Sequence, residues 1–524
     1  MNKQITVRFS IIIWLSLLVI ILLANRYIFT VPMYEDGDAA ANALQIINAK
    51  SFNEIYGNYS RWRFYHPGPF FFYMYAFSEI LFYDLIPIFP APQNSHIFMG
   101  IALQLGFFVC ALHITANYFR ATFFLPLALF GAFIHFSLVN RTIPGSIFLS
   151  IWPPHVLLFP FLCFLVSCAS LARGKIQHLP IAVFCGSTLV HGHVAQPLFT
   201  IIIGLSSYGL FLFNHSQSSA QNNLWNDNIF KYSHIFALLI IGIFFLPIFL
   251  DFLKGEDSNF ANILDHLGRY KAKKTWLQGF LYVASFFSYF GTQQILILPD
   301  AVTILAERWP YYLVWLTIFI YMGFSLYKRK NEPTIDSSFE RYFLGIIIAA
   351  LILSIVWAKR QDGQMFNFNG FYIFSIPYCI LLIFASRFAS QIKFSLNHSL
   401  RLAIIAGTLT SFLVFTSGVN QDNIQIMTQV SQALQSDPNG NNPKKLLVNN
   451  DNWPIVVSVA VALKRADVPF YVEPKWGFLF GEKNVLKEDN HLPLSLWSIS
   501  ARNNQNKAIP FIANTSIIIN PIQD

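Results

Sequence analysis

Charged residues are scarce in this sequence. Only 12% of its 524 residues are Asp, Glu, Lys or Arg, whereas 55% are hydrophobic. The charged share is about half that of a typical soluble protein. It is too small to cover several soluble domains, and the apolar content is far too high for a disordered chain. The composition therefore indicates a polytopic membrane protein.

Cysteine and clustered positive charge are also limited, and each shortage excludes a class of protein. The five cysteines all fall in apolar runs and form neither a C-x-x-C pair nor a disulfide framework. The net charge of +9 is not gathered into a basic face with the spacing of phosphate contacts. We therefore expect no nucleic-acid partner. We attribute the charge to membrane topology and to attraction between basic residues and anionic lipid headgroups.

Long apolar runs predict about eleven membrane-spanning helices. The first is interpreted as a retained helix rather than a signal peptide, because no A-x-A-like cleavage site follows it and many more apolar runs do. Residues 69–92 and 277–299 are apolar too, but we interpret them as interfacial or re-entrant segments on the outer face. The predicted spans are 9–24, 97–118, 121–140, 147–171, 179–192, 195–214, 233–252, 309–327, 342–358, 370–389 and 401–418.

Basic residues in short loops predict the orientation. Lys328, Arg329 and Lys330 end one span together, and such clusters mark cytoplasmic loops. We predict a multi-pass protein of the plasma (inner) membrane with a cytoplasmic N-terminus and an outer C-terminus. The predicted membrane domain covers 1–418 and includes outer loops 32–95 and 253–308.

The tail, 419–524, has a different pattern of short apolar runs between polar residues. Residues 445–449 and 468–473 predict strands, and the segment between them predicts a helix that Asp451 or Asn452 could cap. Residues 515–520 predict another strand. Strand, helix and strand at this spacing form a compact β-α-β unit. The predicted fold class is an all-α polytopic membrane protein with a small C-terminal α/β extracytoplasmic domain.

An acidic cluster directly follows the first span. Glu35, Asp36 and Asp38 precede a good helix-forming segment, and a helix N-terminus favours ionised carboxylates. Such a carboxylate can take a proton from an acceptor hydroxyl or bind a divalent cation. The alternative interpretation is that Asp38 caps the helix and that the other charges are solvated.

A basic and aromatic motif comes next in the same outer loop. Arg61, Arg63 and His66 lie beside a Pro-Gly-Pro turn at 67–69, just before an aromatic-rich segment. Arginine guanidinium groups match the oxygens of a phosphate. An ordinary aromatic belt with snorkelling arginines is the alternative.

A third cluster lies between two late spans on the predicted outer side. Lys359 and Arg360 are placed there against the positive-inside preference, and charges of this kind are functional candidates. A phosphate partner would explain them, and so would a local ion pair with Asp362.

These features together resemble the GT-C class of membrane glycosyltransferases, and most closely its protein mannosyltransferase and aminoarabinose transferase-like branch. The Glu35-Asp36-Gly37-Asp38 cluster matches the position of the catalytic acidic motif of that class. The sequence His66-Pro67-Gly68-Pro69-Phe70 looks like the turn where that branch often has Lys/Arg-Pro-Pro-Leu. Here His replaces the basic residue and Gly replaces the middle proline.

The resemblance implies transfer of a sugar from a polyprenyl-phosphate carrier to a glycan, lipid or protein acceptor, in one inverting step at the outer face. Asp36 or Asp38 would be the general base, with Glu35 as the third acidic residue of the catalytic motif. Some GT-C relatives use a divalent cation with this motif and others do not, so no cofactor is assigned. The residues implied to bind the donor phosphate are Arg61, Arg63, His66, Lys359 and Arg360.

Three other functions compete with this interpretation. A non-catalytic membrane scaffold or sensor whose tail binds a partner would leave the paired arginines and the acidic cluster without a purpose. An O-antigen ligase or polymerase would use similar substrates, but its long catalytic loop typically comes late between spans. A transporter or flippase of lipid-linked sugars often shows internal repeats and charged, broken helices near the bilayer midplane. We find no repeat, and the polar clusters fall on one predicted face.

Overall fold

A computed structural model describes most of the chain. Its α-helices and β-strands are numbered here in chain order. The described residues are 7–119, 147–217, 227–269, 274–288, 295–296, 306, 309–328, 337–361, 363–391, 429–435, 442–486, 495–503 and 515–522.

Helices dominate the described residues. Helix α3 continues as a π-helical turn over Ile80–Leu85, and a 3-10 segment over Asn367–Phe374 leads into α13. The helices are α1 (Val7–Ala24), α2 (Gly37–Lys50), α3 (Phe70–Glu79), α4 (Pro92–Ala116), α5 (Leu158–Ala172), α6 (Leu179–Gly192), α7 (Gln196–Ser216), α8 (Asn228–Phe252), α9 (Asn259–Arg269), α10 (Trp276–Ser288), α11 (Trp309–Lys328), α12 (Ser337–Lys359), α13 (Ser375–Gln391), α14 (Trp453–Arg465) and α15 (Gly477–Phe480).

Seven helices of the described chain are long and apolar enough to cross a membrane. They confirm the predicted polytopic membrane protein. Two predicted spans, 121–140 and 401–418, lie outside the described residues. The exact number of spans stays a prediction, because α6 has only 14 residues and the apolar part of α11 is also short. The seven helices are Val7–Ala24, Pro92–Ala116, Pro153–Ala172, Gln196–Ser216, Asn228–Phe252, Ser338–Lys359 and Asn367–Arg387.

The described chain divides into two compact units, called unit 1 and unit 2 here. Unit 1 comprises Met1–Asn25, Gly100–Leu246 and Asp265–Ser417, and unit 2 comprises Arg26–Met99, Pro247–Leu264 and Gly418–Asp524. Unit 2 therefore joins the tail to the whole of the first predicted outer loop.

The centre of unit 1 is α5. Every residue of this helix is buried, and it packs against α6, α7 and α12. A helix that is apolar all round is stable only when it is surrounded in this way. By contrast, only 22% of α1 is buried inside the protein, and apart from Arg8 and Ser16 its exposed residues are apolar, as expected of a helix that faces lipid.

Unit 2 is built around a four-stranded sheet of order β4-β3-β5-β6. Strand β3 is parallel to both β4 and β5, and β5 is antiparallel to β6. With α14 between β3 and β4 in sequence, these elements follow the β-α-β order, and Asn452 is the residue at the start of α14. The extracytoplasmic α/β domain over 419–524 stays a prediction. The strands are β1 (Ile295–Leu296) and β2 (Met365–Phe366) in unit 1, and β3 (Lys444–Leu447), β4 (Phe470–Tyr471), β5 (Ser495–Asn503) and β6 (Thr515–Ile522) in unit 2.

Helix α2, from the first loop, belongs to the hydrophobic core of the tail. Ala40, Ala43 and Leu44 are almost fully buried there with Val456 and Trp497. Alanine has no side chain beyond Cβ, so the backbones of α2 and α14 can approach closely. The helix that begins at the acidic motif is therefore fixed by residues more than 400 positions later in the sequence.

Candidate active site

The acidic motif lies at the N-terminus of α2, as predicted. Gly37 has a φ of +47°, a conformation that glycine adopts without strain. Asp36 is the N-cap residue: its carbonyl accepts the backbone N–H of Ala39 at 2.9 Å, but its side chain makes no capping bond. The alternative that Asp38 caps the helix is wrong, because Asp38 lies in the first helical turn. The Asp36 side chain is exposed, and that of Asp38 is half-buried.

Glu35 differs from its two neighbours because its carboxylate is held by an arginine. The residue is 4% exposed, and both of its carboxylate oxygens accept hydrogen bonds from Arg465, at 2.6 and 2.9 Å. Arg465 is the last residue of α14. Fork-to-fork pairs of this kind are strong and fix geometry. Glu35 therefore joins the first loop to the tail.

Asp38 is oriented by a tyrosine from the same loop. The Tyr59 hydroxyl donates a short hydrogen bond to Asp38 Oδ1. Burial and the charge of Asp38 raise the pKa of Tyr59 well above its usual range, so the hydroxyl stays protonated and remains a donor.

A chain of ionic contacts continues from Glu35 into the first loop. His96 Nδ1 lies 3.8 Å from Glu35, and His96 Nε2 lies 2.8 Å from Glu79. Lys50 binds Glu79 and Asp84, each at 2.7 Å. Such a network is strongly coupled, because removing one member leaves a buried charge without its partner.

The carboxyl group of Glu79 should make the free energy of unfolding depend on pH. Burial raises its pKa, but hydrogen bonds from His96 and Lys50 outweigh this effect and lower it from 4.5 to about 2. Ionised Glu79 therefore stabilises the fold above about pH 4.5, and this contribution is lost as the pH falls towards about 2.

We expect the temperature of the unfolding midpoint of the purified protein to decrease as the pH is lowered from about 5 to about 3. This decrease should be smaller in a Glu79→Gln variant. Thermal unfolding at a series of pH values measures both. Asp84→Asn is the matched control, because it touches the same lysine but should keep the acid sensitivity. An unchanged pH profile in Glu79→Gln would contradict the prediction.

The two arginines of the basic motif lie on a hairpin. Tyr59 and Tyr65 pair as its two sides, and the backbone N–H of Ser60 donates to the carbonyl of Phe64 at 2.8 Å. Arg61 and Arg63 are exposed at the tip, where Arg63 has a φ of +62°. Both arginines therefore lie within four residues of Tyr59, on the hairpin that Tyr59 and Tyr65 form.

His66 lies at the base of this hairpin. It is 7% exposed, and its ring meets that of Phe64 edge-on at 6.1 Å. Its backbone N–H donates to the Asn58 carbonyl at 2.9 Å. His66 is therefore buried, unlike the exposed Arg61 and Arg63 with which it was grouped.

The hairpin is fastened by polar residues at the end of α8 and just after it. Asn259 exchanges two side-chain hydrogen bonds with the backbone of Tyr65, at 2.6 and 2.8 Å. Tyr56 stacks on Tyr65 at 5.0 Å, donates to Asp251 at 2.8 Å and accepts from Lys254 at 2.5 Å. Burial and the bond to Asp251 raise the pKa of Tyr56.

A polar pocket of about 310 Å³ opens beside the hairpin within unit 2. Arg63 and Asn262 contribute to its lining, and Phe478 and Glu482 come from the tail. Phe478 also lies 5.9 Å from the ring of Tyr59, which holds Asp38. The pocket combines an aromatic face, an amide and charges of both signs, at the lower end of the usual size of a small-molecule site.

The remaining candidates, Lys359 and Arg360, belong to unit 1. Lys359 is the last residue of α12, and its ammonium lies 4.7 Å above the ring of Trp276. Gly279 allows α10 and α12 to lie this close together, because a Cβ at Gly279 would lie 2.9 Å from the carbonyl oxygen of Ile355. Arg360 is exposed. Asp362, the alternative partner, lies outside the described residues.

Several residues of the site did not stand out in the sequence. Arg465 carries no local signal, because its partner Glu35 is 430 residues away. Glu79 could have been singled out, since it interrupts an otherwise apolar segment. His96 directly follows the polar residues Gln93, Asn94 and Ser95 and gives no such signal. Within the described ranges, no three His, Cys, Asp or Glu side chains gather as metal ligands do.

Comparison with known proteins shows the class of fold. No family model matches the sequence, and no curated protein matches it. The fold is similar to that of ArnT from Cupriavidus metallidurans, solved bound to undecaprenyl phosphate. The two chains share 11% identity with a TM-score of 0.50, over 95% of this chain and 94% of that one.

A second similar structure is the archaeal oligosaccharyltransferase AglB from Archaeoglobus fulgidus, solved with an inhibitory peptide and a dolichol phosphate. Its identity is 12% and its TM-score 0.43, over 93% of this chain and 69% of that one. The fold of the present chain is that of the polytopic GT-C class, as its sequence motifs predicted.

Proposed function

We propose that this protein is a glycosyltransferase that moves a sugar from a polyprenyl-phosphate carrier to an acceptor at the outer face of the plasma (inner) membrane. The observation that carries the proposal is the acidic motif at the start of α2, with Asp38 oriented by Tyr59 beside a hairpin bearing two arginines. Likeness in fold to ArnT, which was solved bound to undecaprenyl phosphate, supports the carrier.

The reaction needs a base and a stabilised leaving group. Asp38 is the stronger candidate for the base, because its half-buried carboxylate is oriented by the Tyr59 hydroxyl, whereas Asp36 is exposed. The Asp38 carboxylate takes the proton of the acceptor hydroxyl or amine. The acceptor atom then bonds to the anomeric carbon, and the carbon–oxygen bond to the carrier phosphate breaks, with inversion at that carbon.

Negative charge grows on the departing polyprenyl phosphate. Arg61 and Arg63 supply fixed positive charge in unit 2, which lowers the barrier when it is preorganised. Lys359 and Arg360 stay proposed phosphate ligands from unit 1. Glu35 is reassigned from the catalytic group to a positioning role, because Arg465 occupies both of its oxygens.

The polar pocket beside the hairpin is the proposed place for a sugar unit of the acceptor. An aromatic ring for the sugar face and an amide for its hydroxyl groups suit this ligand, and Phe478 links the pocket to Tyr59. We expect Asn262→Ala to raise the KM for the acceptor about tenfold, the effect of losing roughly 1.4 kcal/mol of binding, and to leave kcat nearly unchanged. Steady-state kinetics with each substrate varied in turn measures this.

Lys483→Gln is the matched control for that variant. Lys483 is exposed next to Glu482 but does not line the pocket. If Asn262→Ala changed only the KM for the lipid-linked donor, the pocket would bind the donor. That result would contradict the proposal that it binds the acceptor.

The function itself is tested with lipid-linked sugars. Cells lacking the protein should accumulate a polyprenyl-phosphate sugar. The purified full-length protein in nanodiscs should then release free polyprenyl phosphate from that material when an extract containing acceptor is added. No accumulation and no release would overturn the proposal. Movement of the intact lipid-linked sugar across the membrane, without cleavage, would favour the transporter instead.

A further inference from the structure

A second cavity, larger than the polar pocket of unit 2, lies in unit 1 and has no part in the proposed reaction. Its volume is about 1010 Å³, and it lies where the amino end of α1 meets the carboxyl ends of α4 and α5 and the beginning of α6. Everything that lines it belongs to unit 1.

One part of this cavity is apolar and is formed largely by α1. Val7 and Ile11 line it and are exposed, and Trp14 lies one turn further along. The Trp14 indole N–H donates to the carbonyl of Ala102 at 3.0 Å, so the polar atom of the ring is satisfied within the protein. The ring itself remains as an apolar wall of a size that suits an acyl chain.

The other part of the cavity is basic. Arg173 and Lys175 line it directly after the end of α5, and both are exposed. His113 and His178 line it too. In both rings, Nδ1 forms a hydrogen bond with a serine hydroxyl, which for His113 is that of Ser10 at 2.8 Å. The Nε2 atom of each ring has no hydrogen-bond partner in the described part of the chain. None of the described lining residues is acidic.

This polarity matches a lipid with an anionic headgroup. The amino end of α1, Arg173 and Lys175 are all predicted to face the cytoplasm, and basic pockets between spans on that side bind anionic headgroups. A phosphate can receive hydrogen bonds from arginine and lysine, while the acyl chains run along α1.

We propose that this cavity is a binding site for one anionic glycerophospholipid, with its phosphate at Arg173 and Lys175 and its chains against Ile11 and Trp14. Anionic phospholipids are the abundant anions of the cytoplasmic leaflet, which makes them the assigned occupant. The site is independent of the proposed sugar transfer, because it uses none of the residues assigned to that reaction.

Native mass spectrometry of the full-length protein tests the proposal, with phosphatidylglycerol and phosphatidylcholine as probes. We expect one phosphatidylglycerol to bind at least tenfold more tightly than phosphatidylcholine. The double variant Arg173→Gln/Lys175→Gln should lose this preference. The matched control is Lys231→Gln/Arg341→Gln, which removes two exposed charges predicted at the same face but outside the cavity, and should keep it.

A second variant avoids any change of charge. A Cβ on Gly106 would meet only Trp14 Nε1, at 3.9 Å, so Gly106→Leu fits the backbone and fills the apolar part of the cavity. It should also weaken phosphatidylglycerol binding. Equal affinity for both probes, or unchanged binding in both variants, overturns the proposal. Tighter binding of a polyprenyl phosphate than of phosphatidylglycerol would overturn the assigned occupant.

Discussion

Replacing Asp38 with Asn should lower kcat for sugar transfer about a hundred- to ten-thousand-fold, the usual contribution of a positioned general base. The amide keeps the shape of the carboxylate and can still accept from Tyr59, but it cannot take a proton. Folding should be unaffected. The measurement is initial-rate release of polyprenyl phosphate by the full-length variant in nanodiscs.

Three further variants sharpen this result. Asp451→Asn is the matched control, because it makes the same change at an exposed acidic residue of unit 2 and should leave the rate unchanged. Tyr59→Phe should cost less than Asp38→Asn, since it removes an orienting bond but not the proton acceptor. Loss of activity in Asp36→Asn with full activity in Asp38→Asn would reverse the assignment. Full activity in both single variants and the double variant would refute the acidic motif as the source of the base.

Replacing Arg465 with Gln should destabilise unit 2 by about 3–5 kcal/mol, as is typical when one member of a buried ion pair is removed. Glu35 would then keep a buried charge without its guanidinium. The side chains of Arg465 and Glu35 are only 16% and 2% exposed, so water cannot replace the lost partner without rearrangement. Pulse proteolysis of the full-length protein across a urea series measures the change.

An exposed ion pair of the same unit serves as the control. Lys475 and Glu473 are 2.7 Å apart but 59% and 44% exposed, so Lys475→Gln should cost at most about 1 kcal/mol. The double variant Glu35→Gln/Arg465→Gln should be less destabilised than the sum of its single variants, because the two side chains touch. An Arg465→Gln variant as stable as Lys475→Gln would show that the pair is not structural.

Local features of this protein could be read from its sequence. The β-α-β unit was predicted because the strands and the helix between them depend on patterns a few residues long. The position of Asp36 and Asp38 at a helix start was predicted for the same reason. The alternative in which Asp38 caps the helix was wrong, because the helix begins at Gly37, two residues earlier than a cap at Asp38 would allow.

Long-range pairings could not be read in this way. The alanines of α2 predicted a helix, but nothing near them indicates that their buried partners are Val456 and Trp497 in the tail. Likewise the hairpin that bears Arg63 depends on Asn259, almost 200 residues later. One sequence carries no sign of which distant polar residues will meet.

The burial of α2 in the core of the tail sets the order in which the protein can be completed during synthesis. Glu35 leaves the ribosome 430 residues before Arg465. At about 5–20 residues per second, this interval lasts on the order of 20 to 90 seconds. Throughout it the apolar face of α2 has no partner from α14, and Glu35 has no guanidinium. The nascent chain must therefore protect the segment that carries its acidic motif until its last hundred or so residues arrive, and a chain that ended before them would leave α2 without its buried partners.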